Sequence, residues 1–592
     1  MIRHDRANAF YMAIGRSRTG LSRITRATVS GAVLPLWLAA SPVWAQTGAP
    51  ITVTPPSLAP QQRENRFRVE VPEGGALEAP VGAEALAVTP GEIIIEGSFA
   101  EVSPATNAVI AALRGRRISL REIYAAASAI EAAHVRAGYV LARVSIPPQD
   151  LRDGGVLRII VTDGFIEAVD VSGLPERVRA SVLARAGKLT GRRHLRLADI
   201  EQPLTIASDV PGLTLRSTLM RGKQAGGTKL LLEGSHQLVS GRVGADNALD
   251  PSLGTYEFSA QVSLNSALGL GEQIYGFAAL GYDVSKLASS DAPVRVLGGG
   301  LTLPLGNGRL ALNPEATYSR TRPAPAAGAP QTVGTLRRLT LRGNYTLVRA
   351  RTRQSSLSVT LEQIDEASVL PDFATMLSHD RYSVLRLGAS WLLKTGSRSQ
   401  SSASLQVSRG LGNLGAISAA DALATGTPFS RQGVSTNFSR LSASGRASWQ
   451  LGSSANLSVS ARGQSTFGDA VFRSEQFSLE GTDGLSAYVG GTTAVDEGLI
   501  GRVELATEAH VGSKAWGLRL LPYLFAAAGT GRINAPTALE PASISAASFG
   551  AGLRADLGNS GLSLSAEYAH GLSGYRPLAD ANRLNVGVGL SF

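Results

Sequence analysis

From about residue 235 onward the chain alternates, residue by residue, between apolar and small polar side chains. No other feature limits its possible folds as strongly. Tyr256, Phe258, Ala260, Val262 and Leu264 interleave with Glu257, Ser259, Gln261 and Ser263. Leu357, Val359 and Leu361 alternate with Ser and Thr, and Leu457, Val459 and Ala461 behave likewise. Leu562, Leu564, Ala566 and Tyr568 alternate with Ser563, Ser565 and Glu567, and the chain ends on Leu584, Val586, Val588, Leu590 and Phe592 with Asn585, Gly587, Gly589 and Ser591 between. A period of two means strands with one apolar face. A soluble sandwich of this length needs a larger apolar core than such small polar faces allow. A membrane barrel needs an apolar face toward lipid and a polar face toward the lumen. It closes its sheet, so every backbone group is paired without a long apolar run. At roughly 22 residues per strand with its share of turn and loop, the region holds about 16 strands. The expected fold class is a transmembrane antiparallel β-barrel over residues 234–592.

The first 45 residues differ in kind. Six Arg and one Asp give them a charge of +5, against +6 for the remaining 547. Arg16, Arg18, Arg23 and Arg26 precede the short apolar segment Ala27–Ala40, and Val43-Trp44-Ala45 offers small residues at a cleavage site. This is the pattern of an export signal, residues 1–45; Pro35 and the short apolar length argue against a membrane anchor. The mature chain has no run of 18 apolar residues, so a transmembrane helix is not expected. Residues 46–90 hold seven Pro and read as a linker with a possible plug helix.

Between linker and barrel the pattern becomes mixed. Glu92–Gly97 is a candidate strand and Pro104–Arg114 a helix. Ser119 with Glu122 forms a capping box that opens a second helix, Leu120–Ala137, ended by Gly138. Tyr139–Ile146 and Val156–Thr162 are expected strands. Residues 166–233 repeat the order: strand Ile166–Ser172, helices Pro175–Ala186 and Leu197–Ala207 (kinked near Pro203), strands Leu213–Arg221 and Lys229–Glu233. Two β-α-α-β-β units in succession, residues 91–165 and 166–233, form an internal repeat.

The absence of Cys excludes a disulfide scaffold, thiolate zinc sites and cysteine nucleophiles. The seven His (His4, His134, His194, His236, His379, His510, His570) show no metal-ligand spacing. No nucleophile elbow or phosphate-binding Gly loop is present. No basic stripe is interleaved with aromatics, so nucleic acid is not an expected partner. An enzyme is not expected, and no cofactor.

The order signal, linker, two modules and barrel resembles the two-partner secretion transporters of the TpsB, haemolysin-activator (ShlB/FhaC/HecB) type, whose modules are POTRA domains. The first module carries the resemblance through Gly138-Tyr139-Val140, Arg143-Val144-Ser145-Ile146-Pro147, Gln149-Asp150-Leu151, Gly155 to Val161 and Asp163-Gly164. The second carries it through Leu197 to Leu204 and Asp209-Val210-Pro211-Gly212-Leu213, and the barrel through Asp246-Asn247, Asn265 and Leu268-Gly269-Leu270-Gly271-Glu272. The terminal Phe592 resembles the signal read by the barrel assembly machinery.

Two positions depart from the family. Its members place an Arg, in a Val-Arg-Gly-Tyr motif, on a long loop folded into the barrel; here Leu485-Ser486-Ala487-Tyr488 stands there, ahead of Asp496 and Gly498, with Ser486 in place of the Arg. Its members oppose that Arg with an Asp in a Phe-x-Asp-x-Gly wall motif; here Phe525 to Gly529 has Ala527 at that place. Losing one partner of a partly buried pair favours losing the other. Two readings are open: a loop held by neutral contacts, or a loop of altered mobility and hence different gating or a non-standard cargo.

The resemblance implies a transporter in the bacterial outer membrane, surrounded by its lipid, with POTRA domains in the periplasm. They would capture an unfolded exported (TpsA-like) partner protein and pass it through the barrel. An edge strand could add the incoming chain by backbone pairing. The expected contacts are Tyr139, Val140, Arg143 and Ser145 with Glu131 and Arg136 of the adjacent helix, and the loop Gly481–Gly498 would line or block the lumen. Two rivals are an assembly factor of the related insertase type, which usually carries three or more such modules, and a passive porin, which needs none.

Overall fold

In a computed structural model the described residues are 69–70, 79–281, 289, 291–491, 493–511, 517–574 and 581–592. The expected export signal, the possible plug helix and most of the linker lie outside them.

The first module packs two helices, α1 (Ser103–Leu113) and α2 (Leu120–Arg136), on a three-stranded sheet. Glu92–Glu96 runs parallel to Val156–Thr162, which pairs antiparallel with the edge strand Arg143–Ser145. The capping box forms: Ser119 Oγ accepts from Glu122 N, and Ser119 N donates to Glu122 Oε2 at 2.8 Å. Those bonds from Ser119 hold the Glu122 carboxyl below its usual range. Ile123, Ala127 and Ile130 project from α2 into a core with Ile118, Leu157 and Ile159. Gln149 pairs its side-chain amide with both N and O of Arg158, at 2.8 Å each, and so prolongs the sheet edge past the last edge-strand residue.

The second module repeats the arrangement with α3 (Glu176–Ala186) and α4 (Leu197–Ser208). The helix α4 runs through Pro203 to Ser208. Phe165–Gly173 lies parallel to Gly227–His236, which pairs antiparallel with Leu213–Arg221. The linker residues Val69–Glu70 add a short parallel strand on the outer side of Leu213–Arg221, with Val69 opposite Ser217.

Residues 239–591 form a closed antiparallel barrel of sixteen strands, in which Glu497–Thr507 and Ala509–Val511 are successive pieces facing Leu518–Arg532. The alternation sorts as expected. Leu339, Leu357, Val359, Leu387, Leu524 and Val588 stand exposed on the outer face, the apolar face that a membrane barrel requires. Asn313, Thr340, Thr360, Arg386 and Ser408 point inward and are buried. The first strand, Val239–Asp246, closes on the last, Asn582–Ser591, from Arg242 opposite Ser591 to Asp246 opposite Gly587. Phe592 finishes this seam by exchanging backbone bonds with Gly241. Asn247 extends it at the other end, donating to Leu584 O at 2.7 Å and accepting from Val586 N at 2.9 Å. Among the described residues no helix is long and apolar enough to cross a membrane, so strands do the crossing.

Candidate functional site

The site begins beneath the barrel, where the second module is bolted to the periplasmic turns. Asp209, the cap residue of α4, takes a two-pronged bond from Arg349 at the end of strand Val333–Arg349, with Nε at 2.7 Å from Oδ2. Arg349 is 1 % exposed, so this bond satisfies a charge that the junction has removed from water. Arg177 donates to Ala267 O in the first periplasmic turn. That turn is shaped by Glu272, whose buried carboxylate accepts from Leu268 N and Leu270 N, and by Asn265, which bonds Gln237 O and Gln273 Nε2. Gly271, at φ +74°, lies so close to Ser181 and Arg185 of α3 that a Cβ would run into both. Burial lowers Arg185 to about 10. The sequence motifs around Asp209, Asn265 and Gly271 are therefore the hardware of the module–barrel joint.

Above the joint opens a cavity of about 460 Å³. Arg185, Asp209, Gly271 and Gly308 line its periplasmic end, and Ser356, Ser358, Ser390, Ser404 and Gln406 its wall. The wall hydroxyls pair with one another across strands, Ser356 with Ser390 and Ser404 with Ser444 at 2.7 Å each. This side of the lumen presents short, uncharged, hydrogen-bonding groups.

Higher up, residues 466–496 fold into the barrel between Ala455–Ser465 and Glu497–Thr507. Their tip is neutral. Leu485, Ala487 and Tyr488 share one buried cluster with Phe525 and Ala527 of the wall. Ser486 is buried; its carbonyl accepts from Asn585 Nδ2 at 2.9 Å, and its hydroxyl sits 3.4 Å from Arg502 Nη1. Arg502 stands opposite Ala527 in the sheet register, lies over the Phe525 ring at 3.8 Å, and pairs with Glu567 at 2.6 Å. Tyr523 OH donates to the same carboxylate at 2.7 Å. An ion pair thus occupies this place after all, with both partners on the wall. Gly529 faces Ile500 nearby.

The shoulder of the loop is charged. Glu475, fully buried, accepts from Arg386 Nη2 at 2.6 Å and Nη1 at 3.0 Å, pairs with Arg440 at 2.6 Å, and accepts from Tyr382 OH at 3.0 Å. Arg386 also holds Glu362 at 2.7 Å. Phe472 stacks on Tyr382, centroids 4.4 Å apart and planes 9° from parallel. At the loop's end, buried Asp496 pairs with Arg431 and accepts from Val471 N and from Asn534 N at 2.7 Å. Gly498, expected on the loop, instead lies on the wall strand Glu497–Thr507, opposite Gln464 and Gly531.

The expected partner contacts on the first module divide. Tyr139 and Val140 are 2 % and 3 % exposed and do not form an open edge. Tyr139 packs on Phe99 and His194 and bonds Glu101 and Arg196, while Val140 joins the core of the second module. The strand expected over Tyr139–Ile146 therefore shrinks to Arg143–Ser145, because its first residues turn inward to build the joint between modules. Ser145 stays exposed at the edge. Glu131 of α2 accepts from Val144 N at 2.9 Å, with Arg143 3.7 Å away, so a carboxylate covers that outward N–H. Arg136 is exposed and donates to Ala132 O in its own helix. Among the described residues no cluster of His, Asp and Glu could hold a metal ion.

Sequence reasoning missed Glu475, Arg386, Arg440, Arg431, Arg502 and Glu567. For Arg386, Arg440, Arg502 and Glu567 the signal was a charge on the inward, polar face of a strand, as at Arg386 between Leu385 and Leu387; Glu475 and Arg431 lie outside the barrel strands and carried no such signal.

Comparisons with known proteins agree with this architecture. Residues 226–555 match the family described as haemolysin secretion/activation protein ShlB/FhaC/HecB, and residues 89–164 match the POTRA domain, ShlB-type. The outer membrane transporter CdiB of Escherichia coli is 28 % identical over 233 residues, which is 39 % of this chain and 38 % of that protein. The hemolysin transporter protein ShlB of Serratia marcescens is 29 % identical over 174 residues, 29 % of this chain and 30 % of that one. The matched stretches thus span well under two thirds of these relatives. In solved structures, CdiB from Escherichia coli superposes with a TM-score of 0.64 at 21 % identity, covering 90 % of this chain and 94 % of that one. CdiB from Acinetobacter baumannii does so at 0.58 and 16 %, covering 89 % and 95 %. These superpositions establish the shared fold, and the match of the family over more than half of the sequence places the chain in the haemolysin secretion/activation protein ShlB/FhaC/HecB family.

Proposed function

We propose that this outer-membrane protein is a secretion transporter: its periplasmic modules take hold of an exported partner protein that is still unfolded, and its barrel passes that chain outward. The observation that supports this most is the cavity opening directly above the module–barrel joint, whose barrel wall is lined by Ser hydroxyls and Gln amides. A flexible chain released from the second module would pass Arg185, Asp209 and Arg309 at the periplasmic end and then meet a wall of Ser and Gln that offers many equivalent hydrogen bonds. Its relatives in Escherichia coli and Serratia marcescens, an outer membrane transporter and a hemolysin transporter, point the same way.

Capture would occur at the edge strand Arg143–Ser145, by backbone pairing. Glu131 would have to leave Val144 N for an incoming strand to bind. The loop 466–496, with Leu485 to Tyr488 at its tip, would have to leave the lumen. Phe592, which closes the barrel seam, would be read by the barrel assembly machinery during insertion.

The test is export of a large exported protein encoded beside this one, in cells with and without the transporter. The partner should appear outside only when the transporter is present. A Val144→Pro variant removes the outward N–H while leaving the bonds of Arg143 and Ser145 to the sheet, and should cut export with the barrel still in the membrane. Unchanged partner export, with several other outer-membrane proteins depleted, would replace this reading by that of an assembly factor.

A further inference from the structure

We infer that Glu475 is the latch that holds the lumen loop in place, clamped by Arg386 and Arg440 of the barrel wall; that the loop must move for transport rests on the function proposed above. Two of the charged places where the loop meets the wall differ in what happens when it leaves. At the tip, Arg502 keeps Glu567 as its partner whether or not Ser486 is beside it, since both residues belong to the wall. Withdrawal of the tip strands no charge. At the shoulder, the carboxylate belongs to the loop and the guanidinium groups to the wall. Glu362 remains on Arg386, but withdrawal takes Glu475 from both arginines and from Tyr382 OH. Four groups, Glu362, Glu475, Arg386 and Arg440, balance in charge only with the loop seated.

The packing around the carboxylate fixes the geometry of this contact. Phe472, three residues ahead, stacks flat on Tyr382, and Gln464 donates to Glu475 O at 2.9 Å. The shoulder is therefore held by side chain, ring and backbone at once. A dry ion pair between bodies that separate is strong while water is excluded and weakens as the exposed arginines hydrate. The device is stable when shut and releases once the lumen fills with water or chain. Acidic side chains of a passing polypeptide could occupy Arg386 and Arg440 in turn.

The chain has no Cys, so Val471→Cys introduces a single thiol at a fully buried loop position of nearly the same volume. The full-length protein, purified and reconstituted in lipid vesicles, is treated with a membrane-impermeant maleimide, and its ion conductance is recorded in planar bilayers. Adding Glu475→Gln should raise the labelling rate at least about tenfold and lengthen the conducting periods, because the buried arginines lose their loop partner. Adding Ser486→Ala instead should leave both unchanged. If Glu475→Gln does not assemble, Arg440→Gln keeps the Arg386 arm and should speed labelling by about threefold. Labelling and conductance equal to the parent in the assembled variant would overturn the latch. Neither readout involves an exported partner, so a latch that releases in vesicles stands even if cells lacking the protein still export the partner, a result that would sink the secretion reading alone.

Discussion

The tip and the shoulder of the lumen loop are both buried against the barrel wall, yet they are held by different physics. At the tip, Leu485, Ala487 and Tyr488 pack on Phe525 and Ala527, and the nearby ion pair, Arg502 with Glu567, lies wholly within the wall. At the shoulder, the ion pairs cross from loop to wall through Glu475. Apolar packing is forfeited within about an ångström of lifting, because dispersion is short-ranged, whereas a buried carboxylate between two guanidinium groups attracts over a longer distance while the site is dry and lets go when water enters. The lesson is that the side of the interface on which each charge stands matters more than the number of charges present.

The largest expected effect breaks the shoulder. Glu475→Gln leaves two buried arginines short of a partner and should cost about 3–5 kcal/mol of barrel stability. The readout is the midpoint of urea unfolding in detergent, followed by the mobility shift of the heat-modifiable barrel on gels. A shift no larger than that of a surface substitution would mean that the stacking of Phe472 on Tyr382 holds the shoulder by itself.

Next comes the tip with its charge restored. Ser486→Arg places a second cation beside Arg502 and should destabilise by about 3 kcal/mol, since like charges in a dry site repel and one stays unpaired. Ala527→Asp alone should be mild, because Arg502 stands directly opposite it in the register. The two together should recover most of the loss of the first. A double-mutant cycle on the unfolding midpoint measures that coupling, and additivity would show that the two positions do not face each other across the loop.

Smaller again is the effect of Asp496→Asn, at the loop's end. Its carboxylate accepts from Arg431 and from two backbone N–H groups, and an amide keeps at most part of that set. The expected loss is about 2 kcal/mol, because Arg431 still donates to Val471 O and Asn534 O.

Much of this was legible in the sequence, for reasons that differ by region. The barrel was readable because lipid and lumen impose a period of two on each strand, as in Leu357, Val359 and Leu361. The capping box at Ser119 was readable because it is local. Tyr139 and Val140 were misplaced because alternation cannot tell a sheet edge from a joint between modules; Val140 enters a core made almost wholly of residues 166–232. Ser486 and Ala527 are neutral in the sequence, but the wall pair beside them, Arg502 with Glu567, was invisible in it. Glu475 lies only 11 positions before Ser486, whereas its partners Arg386 and Arg440 are 89 and 35 positions away from it, and only the closed barrel brings the three together. The role of Asp209 was hidden likewise, since its partner Arg349 lies 140 positions on.

The smallest expected effect sharpens the comparison most. Ser486→Ala removes one hydroxyl 3.4 Å from Arg502, at the outer limit of a hydrogen bond, and leaves the carbonyl's bond from Asn585 intact. The guanidinium keeps Glu567 and the Phe525 ring. Stability should fall by no more than about 0.5 kcal/mol, and the impermeant label should reach Val471→Cys no faster than in the parent. If Ser486→Ala instead loosened the loop as much as Glu475→Gln, the wall pair would have to be reaching into the loop through that hydroxyl. The tip and the shoulder would then form one latch with two catches, and Arg502→Met would have to free the loop as well as weaken the wall.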